Sequence, residues 1–168
     1  LVRAGGLGDV HQGQPRGDGG HLAPRPGRPA HGLAAAPVVS SGLTGRRALV
    51  TGGAVRVGRA LALELAGMGL DVAVHHHSSS DAAAATAEEC RSLGVRAVVV
   101  GGDLSSAAGA RGVVADAATG LGGVAVLVNS AANSVSAALE ETTAEQWDLS
   151  LAVNRQATSF CSQAAAPA

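Results

Sequence analysis

From Leu43 onward, short apolar runs alternate with longer stretches whose apolar residues recur at helical spacing. Arg47-Ala-Leu-Val-Thr51 is apolar through its middle and runs into glycines, the pattern of a buried strand. Residues 58–67 (GRALALELAG) predict a helix that is apolar nearly all round, with Gly67 and Gly69 to end it. Asp71 to His75 predicts a second strand. Ser80 or Asp81 is placed to cap an Ala-rich helix that reaches Leu93 and stops at Gly94. Arg96 to Val100 predicts a third strand, and Ser105 or Ser106 opens a helix ending near Gly120. Val124 to Asn129 reads as a fourth strand. Thr142-Thr-Ala-Glu145 has the spacing of a capping box and predicts one long helix to about Ala166.

Strand and helix alternate strictly, and the strands are apolar on both faces. A parallel sheet covered by helices on both sides satisfies that pattern. Right-handed crossovers in a doubly wound α/β arrangement of three layers place the strands in the order 3-2-1-4. Residues 44–168 form this partial domain. Residues 1–43 carry five of the six prolines (Pro15, Pro24, Pro26, Pro29 and Pro37) and no hydrophobic period, so this Pro/Gly-rich head is expected to be disordered. Leu at position 1 hints at a fragment or an extended reading frame.

Composition narrows the chemistry. The hydrophobic fraction of 46% comes almost entirely from Ala, Val and Leu, which suits close helix-on-sheet packing. All 12 basic residues are Arg, and the chain has no Tyr, so neither Tyr nor Lys can serve as an acid or base within it. A net charge of -1 argues against a nucleic-acid partner or an anionic membrane held by bulk charge. No apolar run reaches the ~18 residues of a membrane span, and the first ten residues lack a secretory pattern. A cytoplasmic location is the expectation. Cys90 and Cys161 lack metal or redox spacing and read as thiols on helices.

The informative segment is Thr51-Gly-Gly-Ala-Val-Arg-Val-Gly58, at the first strand-to-helix turn. Gly52 and Gly53 allow a tight turn, and Gly58 allows the helix to pack close to the strand. The N–H groups of the helix start, including that of Val57, would face a pyrophosphate. A plain turn without ligand is the alternative, and the surrounding strand–helix alternation favours the nucleotide.

A carboxylate at the end of the second strand would accept from a ribose 2′-OH and repel a 2′-phosphate. Here the sequence is His75-His76-His77-Ser78-Ser79-Ser80, with no acid before Asp81. Imidazoles and hydroxyls at His76, His77 and Ser78, with charge from Arg56, favour NADP(H). A metal site in the three histidines is the weaker reading, because strand neighbours point to opposite faces. Asp103, with Leu104 beside it, follows the third strand, where it can reach an adenine edge or serve as a turn residue. Asn129 ends the fourth strand, placed to touch a ribose or to tie strands together, with Ser130 and Ala131 after it.

Thr51-Gly-x-x-x-Arg-x-Gly58, Gly102-Asp-Leu104, Leu127-Val-Asn-Ser-Ala-Ala132 and Asn154 in Leu151-Ala-Val-Asn-Arg155 together resemble the short-chain dehydrogenase/reductase family. The resemblance covers residues 44 to 168 and implies a Rossmann-type fold. Arg56 stands where the family usually has Gly, which looks like the pteridine reductase branch. The family's Asn-Asn-Ala-Gly appears as Asn129-Ser-Ala-Ala132, adding a methyl group where a nicotinamide ribose would lie.

The resemblance implies hydride transfer between NADP(H) and a carbonyl, imine or pterin-like double bond of a small molecule. It implies a catalytic set of Asn, Ser, Tyr and Lys, of which only Asn154 is present, as the anchor of a proton-relay water. The chain would then be an N-terminal portion, inactive alone. It also implies pairing of subunits through the helix that begins near Thr143. A non-enzymatic nucleotide-binding module and a truncated product without function remain the other readings. An uncovered outer edge on the fourth strand predicts poor solubility.

Overall fold

The computed structural model describes residues 42–134 and 137–166. The expectation of a disordered head falls almost wholly outside the described residues. Within them the chain runs β1 (Arg47–Thr51), α1 (Arg56–Gly67), β2 (Asp71–His76), α2 (Ser80–Ser92), β3 (Ala97–Gly101), α3 (Ala107–Leu121) and β4 (Val126–Asn129). A 3-10 turn at Leu139–Glu141, α4 (Ala144–Leu151), a π-helical turn at Ala152–Gln156 and α5 (Ala157–Ala165) follow.

The four strands are parallel and ordered β3-β2-β1-β4, as the alternating pattern required. Leu49 of β1 lies beside Ala73 of β2 on one side and Leu127 of β4 on the other. Side chains of β1 and β2 alternate between two cores, so each strand serves both faces of the sheet. On one face Val50, Val72 and Val74 meet Ala62 and Ala66 of α1 and Ala83, Ala87 and Cys90 of α2. On the other, Leu49, Ala73 and Val100 meet Ala110, Val113, Ala117 and Leu121 of α3 with Ala157 and Cys161 of α5. Both cysteines are buried and unpaired.

Small residues set the helix–sheet distance. The buried positions of α1 are Gly58, Ala62 and Ala66, spaced four apart on a single stripe. A Cβ at Gly58 would run into the Gly52 carbonyl, so only glycine lets α1 start this close to β1. Each chain crossing is also tied by polar groups. Asp71 accepts from the Arg96 backbone N–H at 2.8 Å and from its guanidinium at 2.9 Å, joining the starts of β2 and β3.

Several boundaries differ from the sequence reading, each for a local reason. The long helix expected from Thr142 to Ala166 is three segments, because the π-helical turn at Ala152–Gln156 interrupts it. Its capping box uses Thr143 and Gln146 rather than Thr142 and Glu145. The Thr142 hydroxyl is occupied, donating to the Ala138 carbonyl at 3.1 Å. Helix α1 begins two residues before Gly58, and α2 has Ser79 at its N-cap with no side-chain cap bond. Of the two serines offered for α3, Ser106 is the cap, accepting from the Gly109 N–H at 3.1 Å. Strand β4 starts at Val126, where its ladder with Ala48 begins.

Strand β4 pairs only with β1 among the described residues and is the more open edge, with Val126, Leu127 and Val128 half-buried. Trp147, Leu149 and Leu151 of α4 are exposed. Leu49, fully buried at the centre of the sheet, gives a direct test of this packing. L49A should lower the unfolding free energy by about 2–5 kcal/mol in urea denaturation.

Candidate functional site

The carboxyl ends of the four strands converge on a cleft of about 820 Å³. In an open α/β sheet this is where ligands bind, at the point where strand order reverses between β1 and β4. Its walls are four loops that leave the strand ends.

The first wall is the turn between β1 and α1, where Gly52, Arg56, Val57 and Gly58 line the cleft. Gly52 has φ +64° and lies so close to the loop after β4 that an added Cβ would stand 2.8 Å from the Ala131 Cα. Gly53 donates to the His75 carbonyl at 2.9 Å, and its own Cβ position is crowded by Val50 and Val74. Arg56 is the one non-glycine with positive φ, 51°, among the described residues. That left-handed conformation costs on the order of 1 kcal/mol and is concentrated at functional turns.

The start of α1 is chemically open. Its N-cap is Val55, which has no side chain able to accept, and its first turn holds no acidic residue. Helices α3 and α4, by contrast, are capped by the Ser106 and Thr143 side chains. The first N–H groups of α1 therefore face the cleft with the positive end of the helix dipole behind them. A helix start of this kind is suited to an anion.

The second wall is the end of β2, where His75, His77 and Ser78 line the cleft and His76 does not. No carboxylate stands there. The nearest acid in sequence, Asp81, is in the first turn of α2, where its Oδ1 accepts from the Ser80 hydroxyl at 3.4 Å. The third wall is Asp103 and Leu104, after β3. Asp103 is a turn residue as well as a lining residue. Its carboxylate accepts from the Ser105 backbone N–H at 2.8 Å and hydroxyl at 2.7 Å, and these bonds hold its pKa below the usual carboxylate value.

The fourth wall is the segment from Ser130 to Ser134. Thr51 does not line the cleft but fixes this wall. Its buried hydroxyl accepts from the N–H groups of Ser130 at 3.0 Å and Ala131 at 3.1 Å, and donates to the Val128 carbonyl. Asn129 also lies outside the cleft lining, with its amide donating to the Ser162 hydroxyl at 3.4 Å. That bond ties β4 to α5, which is neither the strand-to-strand tie nor the ribose contact weighed for Asn129.

Asn154 lies within the π-helical turn. Its side-chain oxygen accepts from the Asn133 N–H at 2.7 Å, and its nitrogen donates to the Asn133 carbonyl at 2.7 Å and to the Ser150 hydroxyl at 3.1 Å. A primary amide matched in this way to one backbone residue locks the fourth wall to the helix. Its neighbour one turn earlier, Leu149, and Val153 complete the lining.

The residue that sequence reasoning underused is His75. It is 1% exposed, accepts the Gly52 N–H at Nδ1 (3.1 Å), and has Nε2 3.2 Å from the Gly102 carbonyl. Because Nδ1 accepts, the proton of the neutral ring is on Nε2, which donates to Gly102. Strict alternation along β2 already places residue 75 on the inner face with Ala73, a signal the run of three histidines obscured. Among the described residues, no three His, Cys, Asp or Glu side chains converge to hold a metal.

A model of the short chain dehydrogenase family matches residues 46–168. The chain belongs to the short-chain dehydrogenase/reductase family. It is 40% identical over 117 residues to the short-chain dehydrogenase/reductase eriH of Hericium erinaceus, covering 68% of this chain and 46% of that one. A short chain dehydrogenase from Burkholderia cenocepacia in complex with NADP superposes with a TM-score of 0.71 at 37% identity, over 73% of this chain and 50% of that one. A blue fluorescent protein from a metagenomic library in complex with NADPH gives 0.70 at 34% identity, over 74% and 51%. The chain thus spans about half the length of the relatives it matches. Among the described residues, no helix is long and apolar enough to cross a membrane.

Two measurements probe the site's framework. T51V removes the acceptor shared by the Ser130 and Ala131 N–H groups, and should cost about 1–3 kcal/mol of stability in denaturant unfolding. Burial, the largest influence on His75, lowers its pKa below 6.5. The unfolded chain therefore takes up a proton at this residue before the folded chain does. Its contribution to stability should be complete above pH 6.5 and shrink as pH falls from there towards the folded value. The His75→Asn variant should lack that component in thermal melts across the same range.

Proposed function

We propose that the cleft binds NADP(H), with the pyrophosphate at the start of α1 and the 2′-phosphate between Arg56, His77 and Ser78. The observation that carries this reading is the combination at one cleft of an uncapped helix start, a free-standing arginine and no carboxylate at the end of β2. Arg56 has no ion-pair partner among the described residues, so its charge is available to an anion. The glycine turn fits the same ligand, because Gly52 and Gly58 let the turn close tightly on the Ala131 backbone and on the start of α1, which gathers backbone N–H groups at the cleft.

In this arrangement Asp103 and Leu104 flank the adenine, with Asp103 fixed by Ser105. The Ser130–Ala131 segment, held by Thr51, lies along the far end of the dinucleotide. Thr51, Gly53, His76 and Asn129 act behind the lining, and Asn154 orients the Asn133 backbone at the reacting end. When bound, the dinucleotide supplies or accepts a hydride, exchanged with a carbonyl or pterin-like double bond of a small molecule. The protein's part is to bind, orient and exclude water.

The family's Tyr and Lys have no counterpart in these 168 residues, which contain neither type. We therefore assign nucleotide binding without turnover to this chain, and reduction to a longer polypeptide that adds those two residues. The exposed Trp147 and Leu151 of α4 fit a contact with a second subunit.

Titration of the purified chain with NADPH and with NADH, followed by calorimetry, tests the assignment. NADPH should bind at least tenfold more tightly. R56A should remove most of that difference, roughly 1.4 kcal/mol or more, while weakening NADH little. Equal affinities for the two nucleotides in the wild-type chain would refute the phosphate assignment, and no affinity for either would refute the cleft.

A further inference from the structure

We propose that His75 is a positioning residue that holds the glycine loop in its nucleotide-binding shape, and that a proton on its Nδ1 releases the loop, so that acid weakens NADP(H) binding. The inference rests on the assignment of the cleft to a dinucleotide and adds a mode of regulation to it.

The geometry makes one imidazole the link between two walls of the cleft. Gly52 is the pivot of the loop, with φ +64°, and its N–H has the His75 Nδ1 as its partner at 3.1 Å. The opposite nitrogen, Nε2, is 3.2 Å from the carbonyl of Gly102, directly before Asp103. Gly53 donates to the His75 carbonyl, so both loop glycines are anchored to this residue, one by ring and one by backbone. Neither bond is local, since the partners lie 23 and 27 residues away.

Protonation changes the sign of one of these bonds and leaves the other intact. In the imidazolium both nitrogens carry hydrogen. Nε2–H still donates to Gly102, but Nδ1–H now points at the Gly52 N–H, donor against donor. A buried N–H without an acceptor is unfavourable, and so is a buried cation without a counter-charge. The strain is relieved by moving Gly52, which lies in the turn after β1 and has no side chain to anchor it. Gly52 packs on the Ala131 backbone, so its displacement disturbs both the phosphate wall and the fourth wall.

The charges around the ring do not offset this. On its own strand it is followed by His76 and His77, both of which disfavour a further positive charge, and the glycine loop contributes Arg56. On the α3 side, the apolar Val113 and the His75 Nε2 both lie beside Gly102. After β3 the one acid is Asp103, whose carboxylate is bonded to Ser105. The ring is thus kept neutral by burial, and the link is intact at neutral pH.

Two variants separate the ring's functions. His75→Asn places an oxygen where Nδ1 accepts, but cannot reach Gly102 and does not titrate. His75→Gln places a donor where Nε2 stands, but offers nothing to Gly52. Both retain Arg56, His76, His77 and Asp103, so the titration of those groups and of the nucleotide phosphate is common to all three proteins. NADPH and NADH affinities are measured from pH 8 to pH 5, with amide hydrogen exchange of Gly52 and ring nitrogen shifts of His75 recorded by NMR on the wild-type chain.

At pH 7.5, H75Q should bind about tenfold more weakly than wild type, the effect of one unsatisfied buried donor, and H75N should lose less. Relative to either variant, wild-type affinity for both nucleotides should fall as His75 protonates. Gly52 exchange should accelerate over the same interval, beyond the intrinsic pH trend. Protection of Gly52 that persists through His75 protonation would overturn the proposal, as would a Nδ1–H tautomer at neutral pH or the same acid-dependent loss in H75N. A wild-type chain that binds neither nucleotide at pH 7.5 would instead overturn the cleft assignment on which it rests.

Discussion

Three stretches of chain that are far apart in sequence are fastened together at the carboxyl end of β1, and the cleft exists because they are. The Thr51 hydroxyl takes the two N–H groups of Ser130 and Ala131, and Gly52 hands its own N–H to His75. The Gly52 Cα can lie against the Ala131 backbone because it bears no side chain. A parallel sheet leaves its strand-end backbone groups without ladder partners, and here side chains from neighbouring strands supply them. One hydroxyl and one imidazole set the spacing between the walls on which the adenine, phosphate and nicotinamide ends would depend.

The rest of the architecture keeps that spacing fixed with very little bulk. Both cores are built almost wholly from Ala, Val and Leu, with one cysteine in each, and the fully buried positions of α1 are Gly58, Ala62 and Ala66. Short side chains bring helix and strand backbones close and leave few rotamers to order, so the gain per contact is small but the entropic loss is smaller too. Such a core has little room for substitution, because a larger residue on the α1 stripe would lift the very helix whose start faces the cleft.

Much of this was legible from the chain itself. Strand order and the position of the glycine turn follow from alternation of buried runs and helical segments, and β1 falls on Arg47–Thr51 as read. What escaped were features decided by tertiary contact. The break at Ala152–Gln156 has no Pro or Gly to announce it; it coincides with Asn154 reaching across to the Asn133 backbone. The capping box moved by one residue because the Thr142 hydroxyl found another partner. His75 was hidden inside a polar triplet whose members have three different environments, one buried, one half-buried and one exposed. Alternation puts His75 and His77 on one side and His76 on the other, and His77 is exposed because β2 ends at His76.

The bare start of α1 has a consequence for the whole domain. Helices α2, α3 and α4 each carry a capping side chain or an acid in the first turn, while α1 has neither and opens on Arg56 with its positive φ. The sequence thus leaves one helix unfinished at the place where a phosphate would finish it. Occupancy and folding would then be two faces of a single equilibrium: an anion seated there would act as the missing part of the helix and raise the stability of the domain.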